Sequence, residues 1–292
     1  MSNFKGSGVA LVTPFKSDKS VDFDALRKLV QLQIQGGTNF LVVMGTTAES
    51  PTLSKEEKED ILKTVINENT GCLPIVYGVG GNNTIEVAKA IANVPAGVDG
   101  ILSVSPYYNK PTQEGLYQHF NAIANAVAIP QILYNVPGRT GCDISNDTVL
   151  RLAQHPNIIG LKDATGGIER GTDLLLRVPQ DFAVLSGDDA TAMSLMLLGG
   201  KGVISVTANV APKLMHDMCV AAMAGDAVKA RGINAKLFGL HQKLFVEANP
   251  IPVKWVLQEM GLIKAGIRLP MVPLSAAYHD VLRAACQPAQ VL

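Results

Sequence analysis

An apolar run that ends in a lysine and a polar turn reads Ile158-Ile-Gly-Leu-Lys162-Asp-Ala-Thr-Gly166. Such a run predicts a β-strand buried on both faces, as the strands of a parallel sheet are. Seven other short runs rich in Val, Ile and Leu have the same character. They lie at residues 8–13, 40–44, 75–78, 100–104, 131–134, 183–186 and 202–205.

The segments between these runs carry the signals of amphipathic helices. Ser54 and Glu57 match a capping box, and Asp22 and Thr112 are candidate N-caps before apolar stripes. Eight alternations of strand and helix predict a parallel α/β fold, and eight units favour a closed (β/α)8 TIM barrel. An open, doubly wound sheet is the alternative.

The strand pattern stops near residue 225. Beyond it Ala, Leu, Lys and Gln dominate, with breaks at Pro250, Pro252 and Pro270. No flexible linker separates the two parts. We therefore expect a catalytic barrel at residues 1–225 and a small helical C-terminal domain at residues 226–292 that packs on it.

The composition excludes several classes of protein. Of 292 residues, 47% are hydrophobic and 17% charged, and 25 basic residues balance 25 acidic ones. A disordered chain needs low hydrophobicity and high net charge, and a nucleic-acid binder that neutralises phosphates needs a basic excess. No apolar run approaches the ~20 residues of a membrane helix. We expect neither a nucleic-acid nor a membrane partner.

The cysteines and histidines predict no disulfide framework and no metal site. Cys72, Cys142, Cys219 and Cys286 are widely scattered, and the histidines never stand four residues apart. The start of the chain has no apolar segment typical of a signal peptide. We therefore expect a cytoplasmic protein with free thiols, no metal and no nucleotide cofactor.

Lys162 is the sharpest candidate for chemistry. In a (β/α)8 barrel the active site lies at the carboxyl ends of the strands, where this lysine falls. Burial favours the neutral amine, which is the form that attacks a carbonyl to give a Schiff base. The alternative is an ion-paired lysine, or one whose ammonium reaches solvent from a strand end.

Other strand ends carry hydroxyls and charges. Tyr107, Tyr108 and Tyr134 lie at the ends of two neighbouring runs, and a phenol there could relay a proton with Thr46. The alternative is an aromatic packing cluster.

The remaining polar strand ends suit carboxylate recognition. Thr46 and Thr47 could bind a substrate carboxylate or simply form a turn, and Arg139 could clamp a second carboxylate or face solvent. Asp188 and Asp189 are typical helix caps.

Taken together, these segments resemble the dihydrodipicolinate synthase/N-acetylneuraminate lyase family of Schiff-base-forming, class I aldolase-like barrels. The resemblance covers essentially the whole chain. It is carried by residues 8–14, 106–115, 134–141, 187–189 and 249–255. Ala48 departs from the family pattern, which has a glycine after the paired threonines.

The resemblance implies a role for each matched residue. Lys162 would form an imine with pyruvate, and Tyr134 would shuttle protons with Thr46 and with Tyr108 from a neighbouring subunit. Pyruvate's carboxylate would be held by Thr47 and by the backbone near Gly187 and Ile204. Arg139 would bind the carboxylate of L-aspartate 4-semialdehyde.

The activity so implied is the condensation of pyruvate with that semialdehyde to 4-hydroxy-tetrahydrodipicolinate, in the diaminopimelate route to lysine. No cofactor is needed, and the expected assembly is a homotetramer built as a dimer of dimers. One alternative is a pyruvate-dependent aldolase or lyase of a 2-keto-3-deoxy sugar acid or of sialic acid. An alternative from another class is a keto-acid-binding barrel without turnover.

A possible effector site for lysine is also implied by the resemblance. Its residues would be Ser50, Pro51, Lys55, Lys58, Asn82, Glu86 and Tyr107. Asn82, Glu86 and Tyr107 match the family pattern, whereas Lys55 and Lys58 introduce positive charges.

Two lysine ammonium groups pointing into that site would repel the ammonium of a bound lysine. We therefore expect weak or absent inhibition by lysine, measured as the initial rate across a lysine titration. Strong inhibition at sub-millimolar lysine would contradict this expectation.

Overall fold

The computed structural model describes residues 4–292. Two predictions begin at residues 1–3, namely the start of the barrel domain and the absence of a signal peptide, and to that extent they lie outside the described residues. The strands are parallel and form one sheet. They are β1 (Gly6–Ala10), β2 (Phe40–Val43), β3 (Ile75–Gly78), β4 (Gly100–Val104), β5 (Gln131–Asn135), β6 (Ile158–Asp163), β7 (Ala183–Ser186) and β8 (Gly202–Ser205).

The sheet closes into a barrel in the order β1 to β8, and β8 pairs with β1. This confirms the barrel and excludes the open sheet. The prediction for the first strand was wrong in its bounds, because β1 begins at Gly6 and ends at Ala10. Asn209 ends it: its side-chain Nδ2 donates to the Ala10 carbonyl, and its Oδ1 accepts from the Val12 N–H.

Helices connect the strands and cover the barrel. They are α1 (Phe23–Gln35), α2 (Lys55–Asn69), α3 (Thr84–Ala92), α4 (Gln113–Ala126), α5 (Pro137–Thr140), α6 (Asn146–Leu152), α7 (Ile168–Arg177), α8 (Asp189–Leu197) and α9 (Pro212–Met223). The side chains of Asp22, Ser54 and Thr112 each accept a backbone N–H at a helix start. Glu57 completes the capping box with Ser54, so these local predictions are confirmed.

The C-terminal extension is helical. It comprises α10 (Ala227–Lys243), α11 (Ile251–Glu259) and α12 (His279–Cys286). Leu240, Leu257 and Leu282 of these helices belong to the same buried cluster as Val9 and Leu41 of the barrel. Because one core runs across residues 225 and 226, the division into two domains stays a prediction.

Side chains fill the inside of the barrel. Val42, Leu102, Ile132, Leu185 and Ile204 come from different strands and form one apolar cluster, which also contains Tyr134. The carboxyl ends of the strands therefore stand over a packed floor and not over a channel. None of the helices formed by the described residues combines the length and hydropathy that a membrane crossing requires.

The seam between β1 and β8 requires glycine. Gly6 and Gly202 are register partners, Gly202 has a φ of +147°, and a Cβ on it would overlap the carbonyl oxygen of Gly6. An alanine there would push the two strands apart and strain the backbone.

We expect Gly202→Ala to lower the free energy of unfolding by about 1–3 kcal/mol or more. Gly232→Ala is the matched control, because Gly232 lies inside α10 and a Cβ on it meets nothing within 4 Å. Alanine in a helix should raise stability by about 0.5–1 kcal/mol. Denaturant titration of both variants tests this, and a Gly202→Ala protein as stable as the parent would contradict it.

Candidate active site

Lys162 and Tyr134 meet at the carboxyl ends of β6 and β5. They are register partners on these adjacent parallel strands, so their side chains point the same way, into the barrel. Each is only 6% exposed. The Nζ of Lys162 lies over the Tyr134 ring, 4.2 Å from its centroid. The amine is thus shielded from water on one side by an aromatic face.

Gly187 leaves the space that the lysine side chain needs. A Cβ on Gly187 would stand 3.0 Å from the Cε of Lys162 and 2.7 Å from the Cβ of Ala164. Its backbone N–H donates to the Asp163 carbonyl at 2.7 Å, which holds the turn after β7 against the end of β6. Ile204, on β8, lies in the same apolar cluster as Tyr134. The structure therefore brings these predicted residues together around one amine.

A second buried lysine, Lys254, forms an ion pair and so differs from Lys162. Lys254 of α11 is buried with Glu49, and its Nζ lies 2.5 Å from the Oε1 of that carboxylate. Burial lowers the pKa of Lys254 to about 8, and the Glu49 carboxylate opposes that shift. Within residues 4–292, Lys162 has no carboxylate at salt-bridge distance. The ion-paired alternative describes Lys254 and not Lys162.

The threonine turn contacts the C-terminal extension. Thr46–Ala48 form a short 3₁₀ helix after β2, in which Thr47 is buried and Thr46 is partly exposed. The Nδ2 of Asn249 donates to the Oγ1 of Thr47 at 2.9 Å. The backbone carbonyl of Asn249 accepts from Nη2 of the otherwise exposed Arg139 at 3.2 Å. Asn249 thereby links two predicted substrate-binding residues.

The contacts of Asn249 were not predicted from the sequence. The only signal was that Asn249 opens one of the segments that carry the family resemblance. The pairing of Glu49 with Lys254 was not predicted either, because the two residues lie 205 positions apart and no local pattern connects them.

A polar network lies behind the strand ends, on the side that faces the helices. Asn135 and Asp163 follow Tyr134 and Lys162 directly and are themselves register partners. The Nδ2 of Asn135 donates to the Oδ1 of Asp163 at 3.0 Å, and the Thr165 hydroxyl donates to its Oδ2 at 2.6 Å. The guanidinium of Arg170 completes the network at 3.5 Å. These bonds fix the register of β5 and β6, and hence the positions of Tyr134 and Lys162 relative to each other.

One of the two predicted helix caps was wrong. Asp188 caps α8 by accepting the Thr191 N–H. Asp189 instead is buried, and its Oδ2 accepts the backbone N–H groups of Val206 and Thr207, each at 3.0 Å. The carboxylate therefore holds the loop after β8, a tertiary contact that local capping statistics do not reveal.

The side chain of Tyr108 is exposed to solvent in this single chain. It is 88% exposed and has a φ of +74°, a conformation that costs energy in a residue with a side chain. Tyr107 beside it is about half exposed. The structure does not bring Tyr108 to Lys162, and its role stays a prediction.

The structure brings only some of the predicted effector residues together. The Nδ2 of Asn82 donates to the Tyr107 carbonyl at 3.2 Å, so these two residues are neighbours. Glu86 forms an exposed ion pair with Lys89 at 3.0 Å. Lys55 is exposed and lies 3.8 Å from Glu59, so it does not point inward as the repulsion argument requires.

The other effector residues lie close to the threonine turn in sequence. Ser50 donates to the Gly45 carbonyl and stands with Pro51 in a short 3₁₀ helix, and Lys58 lies on α2.

In the part of the chain that the structure describes, no group of three or more His, Cys, Asp or Glu side chains could hold a metal ion.

A closed (β/α)8 barrel with a buried, unpaired lysine at the carboxyl ends of its strands defines the class of Schiff-base-forming barrel enzymes. A sequence model of the dihydrodipicolinate synthetase family matches residues 3–289. The chain belongs to this family, which confirms the resemblance found in the sequence.

Relatives and solved structures agree over nearly the whole chain. The 4-hydroxy-tetrahydrodipicolinate synthase of Nitrosospira multiformis is 59% identical, with 98% of this chain and 96% of the relative covered. The enzyme of the same name from Pseudomonas aeruginosa is 57% identical, with 98% and 99% covered. A crystal structure of the chloride-inhibited dihydrodipicolinate synthase from Acinetobacter baumannii, complexed with pyruvate, has a TM-score of 0.95 and 53% identity, with 99% of each chain covered.

The network behind the strand ends generates a prediction. Asp163→Asn keeps the shape of the side chain but replaces an acceptor of the Asn135 and Thr165 bonds by a donor. We expect the turnover number to fall by about 10-fold or more, because small displacements of reacting groups are costly.

Asp173→Asn is the matched control. Asp173 also accepts from an asparagine, Asn146, and pairs with an arginine, Arg177, but it lies on α7 away from the strand ends. Steady-state kinetics of both variants decide the matter. Equal turnover numbers in the two variants would mean that the network does not position the amine.

Proposed function

We propose that the chain condenses pyruvate with L-aspartate 4-semialdehyde to give 4-hydroxy-tetrahydrodipicolinate, on the diaminopimelate route to lysine. The observation that carries the proposal is the buried amine of Lys162, which lies over the ring of Tyr134 and has no neutralising carboxylate among the described residues. The names of the relatives support the same reaction.

The first half of the reaction joins pyruvate to the protein. The Nζ of Lys162 attacks the ketone carbon of pyruvate, water leaves, and an iminium forms. The iminium withdraws electrons from the neighbouring methyl group, so that a proton can leave it and an enamine results. The phenol of Tyr134 is the acid and base that moves these protons, with Thr46 as its relay.

The second half forms the ring and frees the lysine. The enamine carbon attacks the aldehyde of the semialdehyde, whose oxygen takes a proton and becomes the 4-hydroxyl group. The amino group of the bound substrate then attacks the iminium carbon and displaces Lys162. One water is released overall, no electrons are exchanged with another molecule, and the enzyme returns unchanged.

Two carboxylates must be held during these steps. Thr47 and the backbone near Gly187 and Ile204 would bind the carboxylate of pyruvate. Arg139, whose guanidinium is already anchored on the Asn249 carbonyl, would bind that of the semialdehyde. A sugar-acid lyase has no use for a carboxylate clamp at this position, and a non-catalytic barrel has no use for an unpaired buried amine.

A neighbouring subunit would complete the site. The exposed phenol of Tyr108 projects from the strand-end face and suits insertion into a second copy of the chain. We propose that copies of the chain assemble in this way into the homotetramer, a dimer of dimers, that the family resemblance implies. We place the protein in the cytoplasm because its relatives are named as biosynthetic enzymes. The neighbouring positions of Asn82 and Tyr107 support an effector site close to the same boundary.

Lys162→Ala tests the proposal directly. We expect the condensation rate to fall by about 10³-fold or more, since the covalent intermediate cannot form. Borohydride reduction in the presence of pyruvate should add one pyruvate-derived group at Lys162 in the parent protein and none in the variant, as seen by peptide mass spectrometry.

Lys213→Ala is the control, because Lys213 lies exposed on α9 and forms an ion pair with Asp217 of the same helix. It should keep both the activity and the adduct. A reduced adduct on another lysine, or a Lys162→Ala protein with normal turnover, would refute the mechanism.

A further inference from the structure

We propose that Asn249 is a positioning residue that directs the hydroxyl proton of Thr47 toward the carboxylate of pyruvate. This inference rests on the proposed function, in which Thr47 binds that carboxylate. It concerns the C-terminal extension, to which the reaction as described above assigns no step.

The contact between the side chains of Asn249 and Thr47 is buried, and a neighbouring ion pair joins the same two segments. Asn249 is 5% exposed and Thr47 is 3% exposed, and the donor and acceptor atoms are 2.9 Å apart. Two residues after Thr47, Glu49 forms its buried ion pair with Lys254 of the following helix α11. The second oxygen of Glu49 accepts the backbone N–H of Arg268 at 3.0 Å. The threonine turn and the segment that holds Asn249 are therefore fixed to each other.

The direction of the hydrogen bond decides what Thr47 can do. A threonine hydroxyl has one proton and two acceptor sites. Because the Asn249 amide donates to the oxygen, the proton of Thr47 is not used in this contact. A carboxylate only accepts hydrogen bonds, so the free proton is the group that it needs.

The proposal depends on the orientation of the Asn249 amide. The Oδ1 of Asn249 is buried and has no hydrogen-bond partner in the described part of the chain. A reversed amide would place that oxygen against Thr47 and take up the hydroxyl proton. The structure has the donating Nδ2 against the threonine oxygen, which leaves the hydroxyl proton free.

Asn249 contacts the two substrate-binding groups through different atoms. Its side chain holds Thr47, whereas its backbone carbonyl holds Arg139. Substitution of the side chain should therefore affect the binding of pyruvate and spare that of the semialdehyde. A general loss of structure would weaken both.

Two variants distinguish an effect of the direction of the Asn249–Thr47 hydrogen bond from an effect of side-chain packing. Asn249→Asp is nearly isosteric, but its carboxylate accepts the Thr47 proton and turns it away from the substrate. Asn249→Ala removes the amide and leaves the proton free. We expect the KM for pyruvate to rise about 10-fold or more in Asn249→Asp and only a few-fold in Asn249→Ala. The KM for the semialdehyde and the turnover number at saturating pyruvate should change less than about 3-fold in both.

A double-mutant cycle with Thr47→Val excludes simple charge repulsion. If the hydroxyl carries the effect, the penalty of Asn249→Asp falls to a few-fold in the Thr47→Val background. A penalty of unchanged size in that background would overturn the proposal. So would an Asn249→Asp protein that binds pyruvate as well as Asn249→Ala does. Should Asn249→Asp fail to fold, Asn249→Ala decides alone, and an unchanged KM for pyruvate would overturn the proposal.

The cycle also distinguishes this inference from the proposed function. A Thr47→Val protein with normal pyruvate affinity would remove Thr47 from the substrate site and overturn both assignments. A Thr47→Val protein with weak pyruvate affinity, together with unaffected Asn249 variants, would overturn the inference alone.

Discussion

Closure of the eight-stranded sheet is the constraint on which the rest of the structure depends. The last and first strands meet at Gly202 and Gly6, where the backbones approach too closely for a side chain. Because the strands are parallel, closure brings all eight carboxyl ends to one rim. Lysine, tyrosine, threonine and arginine, which are far apart in sequence, thereby lie on the same face of the barrel.

The two buried lysines show how the same side chain is put to different uses. Lys254 is balanced by Glu49, so its burial stabilises a junction between the barrel and the extension only when both partners are present. Lys162 has an aromatic ring beside it and no carboxylate at salt-bridge distance within residues 4–292. The amine of Lys162 is therefore not engaged in an ion pair and can attack a substrate carbonyl.

The C-terminal extension contributes to the site as well as to the core. Its helices share the apolar cluster of the barrel, and its entry segment carries Asn249 onto the threonine turn and the Arg139 loop. Behind the strands, Asn135 and Asp163 align the two residues that carry the proposed chemistry. The reacting groups are thus held by a shell of polar contacts from three different parts of the chain.

The amino-acid sequence by itself determined the barrel, the helix caps at Asp22, Ser54 and Thr112, and the position of Lys162 at the end of a buried strand. Each of these depends on neighbouring residues, through runs of apolar side chains or a cap three positions before its partner. Only the tertiary structure decided that Asn249 would serve Thr47 across 202 residues, that Glu49 would meet Lys254, and that Asp189 would hold the loop after β8 and not cap its own helix. Such contacts exist only after closure, since no local periodicity encodes which distant segments will come together in space.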